Sequence, residues 1–307
     1  MGWHQSHVLS SAGWESAELL ELLERAASCK QALADGKRAQ QLQGLSCLTL
    51  FYEPSTRTRL SFESACHKLG LGVMSVADAQ SSSSAAKGES LEDAARILSA
   101  YADAIVIRHP EKGSAARFAA MAGVPVINAG DGAGEHPTQT LVDLFTIQEH
   151  FGRLEGLSVG LCGDLVNGRT VHSLARVLAK LGCRLVAIAP PELGLPAELI
   201  AALPPDTSLR VEPDLKKALP ELDVLYMTRI QKERFADPEA YDRASQVYRL
   251  QRADLELATP KLCLLHPLPR VNEIDPDVDA DPRARYFTQA ANGVPVRMAL
   301  LSLILGL

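Results

Sequence analysis

The residues best equipped for chemistry stand in a few short polar runs. Ser55, Thr56, Arg57, Thr58 and Arg59 follow an apolar stretch and open a helical pattern. A helix start offers unpaired backbone N–H groups and the positive end of the helix dipole. Hydroxyls and guanidinium forks beside it supply the remaining parts of a phosphate site. A Ser/Thr-rich helix start on its own reads as a cap with solvated arginines. Two threonines interleaved with two arginines favour a bound anion instead. The Gly-x-x-x-x-Gly-Lys-Ser/Thr spacing of a nucleotide loop is absent.

His136 precedes Pro137, which suits a first helical position, so its imidazole is expected at the mouth of a sheet edge rather than in the core. A lone histidine is more often structural than catalytic. Here Arg108 and Gln139 would complete a group able to hold and polarise a carbonyl oxygen. Arg169 in GDLVNGRT and Arg229 in YMTRIQ are candidates for a dicarboxylate clamp, because guanidinium forks match carboxylates two hydrogen bonds at a time. Taken singly, an arginine at a strand end reads as a surface charge. GLCGDLVNG lacks the Gly-x-Gly-x-x-Gly order of a dinucleotide fold.

These residues share a position: each follows a short apolar run that reads as a strand. SCLTLFY (46 to 52), ADAIVIRHP, VPVINAG, GLSVGLCGD, CRLVAIAP, DVLYMTR and KLCLLHPLPR alternate with helical segments, which predicts parallel sheets with ligands at the carboxyl ends of the strands. Leu268 lies in the polar run after LCLL. RLSFESACHKLG reads as a helix closed by Gly70, and residues 15 to 29 put Leu19, Leu22, Leu23 and Ala26 on one helical face. SSSSAAKGES (81 to 90) reads as a mobile loop ending in a cap at Ser90, and residues 229 to 251 as a long charged loop. The expected fold class is α/β, with two doubly wound parallel-sheet domains, a junction near residues 136 to 152, and the active site in the cleft between them.

With 31 Lys+Arg against 37 Asp+Glu, the net charge of -6 has the wrong sign for a partner that is a nucleic acid or an anionic membrane. The six cysteines lack the paired spacing of a zinc or redox motif and read as reduced core residues. The first residues, MGWHQSHVLSSAGW, carry neither a basic start nor a long apolar stretch, which points to the cytoplasm. The run MALLSLILGL is 10 residues long and reads as a helix packed on the body rather than a membrane anchor.

FYEPSTRTRLSFE, KGESLEDAARILSAYADAIVIRHP, GEHPTQTLVDLFTI, GDLVNGRTVHSLA, YMTRIQKERF and HPLPRVNEI together resemble the catalytic chains of aspartate carbamoyltransferases. The STRTR run is shared with ornithine carbamoyltransferases, which typically carry a cysteine in the segments where Thr138 and Pro267 stand here. The resemblance implies transfer of the carbamoyl group of carbamoyl phosphate to L-aspartate, in pyrimidine biosynthesis, with neither metal nor organic cofactor. It implies that Ser55, Thr56, Arg57 and Thr58 bind the phosphate. Arg108 and His136 would meet the carbonyl oxygen, with Arg108 also touching phosphate. Gln139 and the backbone carbonyls of Pro267 and Leu268 would receive the carbamoyl amine. Arg169, Arg229 and Gln231 would hold aspartate. Ser83 and Lys87 match residues that enter a neighbouring subunit's site, which implies a homotrimer with shared active sites. Lys87 would then be catalytic and an aspartate contact as well. Ala86 stands where some relatives have a second lysine. The implied domains are residues 1–135, joined by a C-terminal helix at 291–307, for carbamoyl phosphate, and residues 136–290 for aspartate. YMTRIQKERF and HPLPRVNEIDPDVD look most like the subclass that assembles with regulatory chains, and regulatory or dihydroorotase chains are the partners this leaves open.

Overall fold

The computed structural model describes residues 2–37, 42–230 and 248–306. Two units emerge, residues 1–145 with 291–307, and residues 146–290.

The first unit opens with helix α1 (Ser16–Ala34), which buries Leu19, Leu22, Leu23 and Ala26, the face its spacing marks out. Strand β1 (Ser46–Phe51) follows, then α2 (Thr56–Leu69), β2 (Gly72–Val76), the short helix α3 (Ala79–Ser82), α4 (Leu91–Leu98), β3 (Ala104–His109), α5 (Ser114–Ala119), β4 (Val126–Asp131) and α6 (Pro137–Phe151). Gly70 ends α2 in the left-handed region at φ 79°, where a side chain would be strained. All strand pairs are parallel and the order is β2-β1-β3-β4. The chain therefore steps outward from β1 to β2, then returns across β1 to build β3 and β4. That reversal makes the β1/β3 boundary a switch point, where crossover helices leave on opposite faces and open a crevice at the strand ends. Ile105, Ile107, Leu48, Leu50 and Phe118 are among the side chains that fill the core beneath it. Each such buried aliphatic or aromatic group contributes about 1.5–3 kcal/mol.

The second unit repeats the logic. Strand β5 (Ser158–Cys162) is followed by α7 (Arg169–Lys180), β6 (Arg184–Ile188), α8 (Ala197–Ala201), β7 (Leu209–Val211), α9 (Leu215–Ala218), β8 (Val224–Met227) and β9 (Cys263–Leu265). The parallel sheet runs β7-β6-β5-β8-β9, so its switch point lies between β5 and β8. Helix α10 (Tyr286–Ile304) contains MALLSLI and buries Met298, Leu300, Leu301, Leu303 and Ile304. No helix among the described residues is long and apolar enough to cross a membrane.

Two local expectations change. The serine-rich segment is not an irregular loop: it forms α3 and a 3₁₀ turn at Ser84–Lys87, ended by Gly88 at φ 91°. The turn is stitched by its own short hydroxyls, Ser83 accepting from the Ala85 N–H at 3.2 Å and donating to the Ala79 carbonyl at 2.5 Å. Ser90 does cap α4, accepting from the Asp93 N–H at 3.1 Å. β2 and β7 were not anticipated, because both are edge strands whose half-exposed residues lack a buried face.

Candidate active site

Helix α2 begins immediately beyond β1, so its first turn sits at the β1/β3 switch point. Ser55 is the N-cap residue, yet its side chain makes no capping hydrogen bond. The hydroxyl is thus not committed to the helix it begins. Arg57 and Arg59 part company here. Arg59 is bound to Glu63 at 2.8 Å and to the Ser75 hydroxyl at 3.1 Å, inside a network that also ties Thr49 to Glu63. Arg57 has no carboxylate partner among the described residues, and partial burial pulls its pKa below the ordinary guanidinium value. Thr58 is buried, and its Oγ1 lies 3.5 Å from Nε2 of His136.

Arg108 is the fifth residue of β3 and sits opposite Phe51 of β1. Its guanidinium meets Glu53 at 2.5 Å and donates to the Ala129 carbonyl at 3.1 Å. The β3/β4 register breaks between Ile107 and His109, beside this side chain. His136 precedes α6, as its Pro137 neighbour requires, but the imidazole is buried, 5% exposed, rather than open at the sheet mouth. The cause is the turn that delivers it. Asp131 accepts from Gly113, Asn128 and Glu135, and folds residues 130–134 tightly against the preceding loop. A Cβ on Gly132 would stand 2.2 Å from the Pro110 carbonyl, so only glycine fits. One turn further along α6, Gln139 donates through Nε2 to Asp143 at 2.7 Å.

In the second unit, Arg169 is the first residue of α7 and Arg229 follows β8, so both leave the β5/β8 switch point. The approach between these strands is close. Gly163, at φ 116°, would place a Cβ 2.4 Å from the Thr228 carbonyl. Buried Asp164 accepts from the N–H and the amide of Asn167, and a Cβ on Gly168 would come within 2.6 Å of the Asp164 carbonyl. Gln231 lies outside the described residues.

Beyond β9, residues 266–273 fold around a buried pair. His266 Nδ1 accepts the Leu268 N–H at 2.8 Å, which leaves Nε2 to carry the proton toward Glu273 at 2.6 Å. The His266 N–H donates to Gln289 at 2.9 Å. Leu268 adopts φ 57°, an uncommon left-handed conformation for a branched side chain, and a cis bond joins it to Pro269. Burial pushes the Glu273 carboxyl up. The hydrogen bond from His266, with backbone N–H groups, outweighs that and leaves it below its ordinary value.

The structure therefore brings Ser55, Thr56, Arg57, Thr58, Arg108 and His136 to one end of the first sheet, and Arg169 and Arg229 to one end of the second. Ser83 and Lys87 stand apart on the α3 segment, where no hydrogen bond or ion pair among the described residues joins them to the β1/β3 group. Lys87 is exposed and lacks a carboxylate partner among the described residues. Sequence reasoning missed Glu53, Asp143, Asp164 and the His266–Glu273 pair. Only the Gln139-x-x-x-Asp143 spacing, one helical turn, could have signalled its contact.

The family model for the aspartate/ornithine carbamoyltransferase carbamoyl-P binding domain matches residues 6–149, and that for the Asp/Orn binding domain matches residues 155–304. The aspartate carbamoyltransferase catalytic subunit of Methanothrix thermoacetophila is 50% identical over 300 residues, covering 97% of this chain and 98% of that one. The solved catalytic subunit of M. jannaschii aspartate transcarbamoylase superposes with a TM-score of 0.91 at 44% identity, covering 97% of each chain. Trypanosoma cruzi aspartate transcarbamoylase, solved with carbamoyl aspartate and phosphate, gives a TM-score of 0.91 at 36% identity, covering 99% of this chain and 97% of that one. With both domain models matched in order along nearly its whole length, the chain belongs to the aspartate/ornithine carbamoyltransferase family.

Proposed function

We propose that this chain is an aspartate carbamoyltransferase catalytic subunit, which transfers the carbamoyl group of carbamoyl phosphate to L-aspartate in pyrimidine biosynthesis. The observation that carries the reading is the same in both units: arginines leave the switch point of each parallel sheet, Arg57 and Arg108 in one, Arg169 and Arg229 in the other. Two anionic substrates call for two such sites, and a chain of net charge -6 must concentrate its positive charge locally to provide them.

In this reading Ser55, Thr56, Arg57 and Thr58 hold the phosphate at the start of α2, with Arg108 touching phosphate and carbonyl oxygen. His136 donates to the carbonyl oxygen. Gln139 and the carbonyls of Pro267 and Leu268 receive the carbamoyl amine, and Arg169, Arg229 and Gln231 hold aspartate. The aspartate amine attacks the carbamoyl carbon and a tetrahedral oxyanion forms. The C–O bond to phosphate then breaks, phosphate leaves with the bonding electrons, and the attacking nitrogen loses a proton. Holding two reactants in attack geometry supplies about 7–11 kcal/mol, and one oxyanion donor about 2.7–4 kcal/mol. Together these suffice without a covalent nucleophile.

The exposed ammonium of Lys87, on a turn closed by left-handed Gly88, suits delivery to a neighbour's phosphate, and we extend the proposal to a homotrimer with shared sites. Buried free thiols at Cys47, Cys66, Cys162, Cys183 and Cys263 fit a reducing cytoplasm. A carbamoylation assay offering aspartate and ornithine side by side tests the reading. Carbamoyl aspartate is the expected product; carbamoylation of ornithine alone overturns it.

A further inference from the structure

Gln139 is asked to recognise an NH₂ group, and an amide side chain can do that with only one of its two ends. Its oxygen accepts; its nitrogen would oppose donor to donor. Turning the amide by half a revolution exchanges the two at almost no change in shape, so something must fix it. In this structure the Nε2 end is taken by Asp143 at 2.7 Å. A carboxylate can only accept, so it selects the nitrogen and turns Oε1 away from itself.

The acid itself sits deep in the protein. Asp143 is fully buried on α6. Arg297 of α10 is 3% exposed, donates to the Gly293 carbonyl at 3.0 Å, and lies over the Phe62 ring of α2 at 4.9 Å. Burial lowers the Arg297 pKa to about 10 even against the opposing pull of Asp143. A buried arginine and a buried aspartate of opposite sign are each expensive alone and tolerable together. Arg297 thus touches α2 through Phe62, and its opposite charge lies within electrostatic reach of Asp143.

We infer that Asp143 is a positioning residue: it locks the Gln139 amide with its oxygen toward the carbamoyl NH₂, and so lets the enzyme tell carbamoyl phosphate from acyl phosphates that carry a methyl group there. The inference rests on the proposed contact between Gln139 and the carbamoyl amine.

The test compares the affinities of the purified full-length enzyme for carbamoyl phosphate, acetyl phosphate and inorganic phosphate. Asp143→Leu is made together with Arg297→Met, so that neither charge is left buried alone. The expected result is a roughly five- to tenfold fall in the carbamoyl-over-acetyl preference, the scale of one hydrogen bond, with phosphate affinity unchanged. Gln139→Leu should show the same fall, and the triple variant no more than either. A double variant that keeps the preference while Gln139→Leu loses it overturns the role of Asp143 and leaves the substrate assignment standing. If Gln139→Leu itself keeps the preference, the assignment of Gln139 to the carbamoyl amine fails, and the inference with it. Equal loss of all three affinities would mark Asp143 as purely structural and also overturn the inference. Asp143→Asn covers the case in which the double variant does not fold. Its amide donates as readily as it accepts, so a roughly two- to threefold fall is expected, and an unchanged preference in that folded enzyme overturns the inference.

Discussion

Thr58 Oγ1 stands 3.5 Å from His136 Nε2, joining the first turn of α2 to the residue that opens α6, 78 positions later. The contact is at the long limit for a hydrogen bond. It places a hydroxyl that would face phosphate beside an imidazole that would face the carbonyl oxygen. Thr58→Val keeps the shape and removes the hydroxyl. Turnover should fall by about 10- to 100-fold with thermal stability nearly unchanged, measured by steady-state kinetics and a melting curve.

Arg57 and Arg59 separate function from structure within one helical turn. Arg57 has no carboxylate to lose among the described residues, so Arg57→Ala should reduce the rate by several orders of magnitude and leave the fold intact. Arg59→Ala abandons Glu63, a half-buried acid, and should lower stability by about 1–3 kcal/mol with a smaller kinetic effect. Denaturant titration and kinetics on both variants check the contrast. Near-normal turnover in Arg57→Ala would remove the phosphate assignment.

The acid limb of stability should carry a contribution from the loop after β9. The Glu273 carboxyl lies below its ordinary value in the folded chain, so it stabilises the fold fully above about pH 4.5, the unfolded value, and this stabilisation is lost as pH falls through the lower folded value. Glu273→Gln should lose stability near neutrality and show a shallower decline on acidification. Urea unfolding between about pH 3 and 7 reads both effects, and parallel curves for the two proteins would contradict the pairing with His266.

If Lys87 serves a neighbouring chain, mixed oligomers of Arg57→Ala and Lys87→Ala should recover activity, because one of their sites escapes both substitutions. About a quarter to a third of wild-type activity is the upper bound expected for one intact site in three. No recovery in mixed trimers of verified composition would place Lys87 in its own chain's site or in none.

The parallel sheets and the positions of most strands were legible because buried central strands read as continuous apolar runs, and several crossovers left a polar residue at a strand end. Arg57, Arg108, Arg169 and Arg229 were visible on that ground alone. β2 and β7 were not, because an edge strand with half-exposed residues lacks the apolar signature. The burial of His136 was hidden for a different reason: it depends on Asp131 binding three groups at once and on the contact of Gly132 with Pro110, relations between loops that spacing does not encode. The serine-rich stretch looked like a loop by composition, and became helical turns because Ser83 and Ser84 bond to their own surroundings.

The central claim is that the arginines at the switch point of one sheet bind a phosphoryl group and those at the switch point of the other bind a dicarboxylic amine, the two substrates of one reaction. Calorimetric titration with a single molecule in which a phosphonate is linked to aspartate addresses it most directly, using the wild-type enzyme beside Arg57→Ala and Arg229→Ala. The account predicts one molecule bound per chain, and affinity reduced about 100-fold or more by either substitution, as loss of a charge-assisted fork requires. Absence of binding to the wild type, or binding indifferent to either arginine, would contradict it.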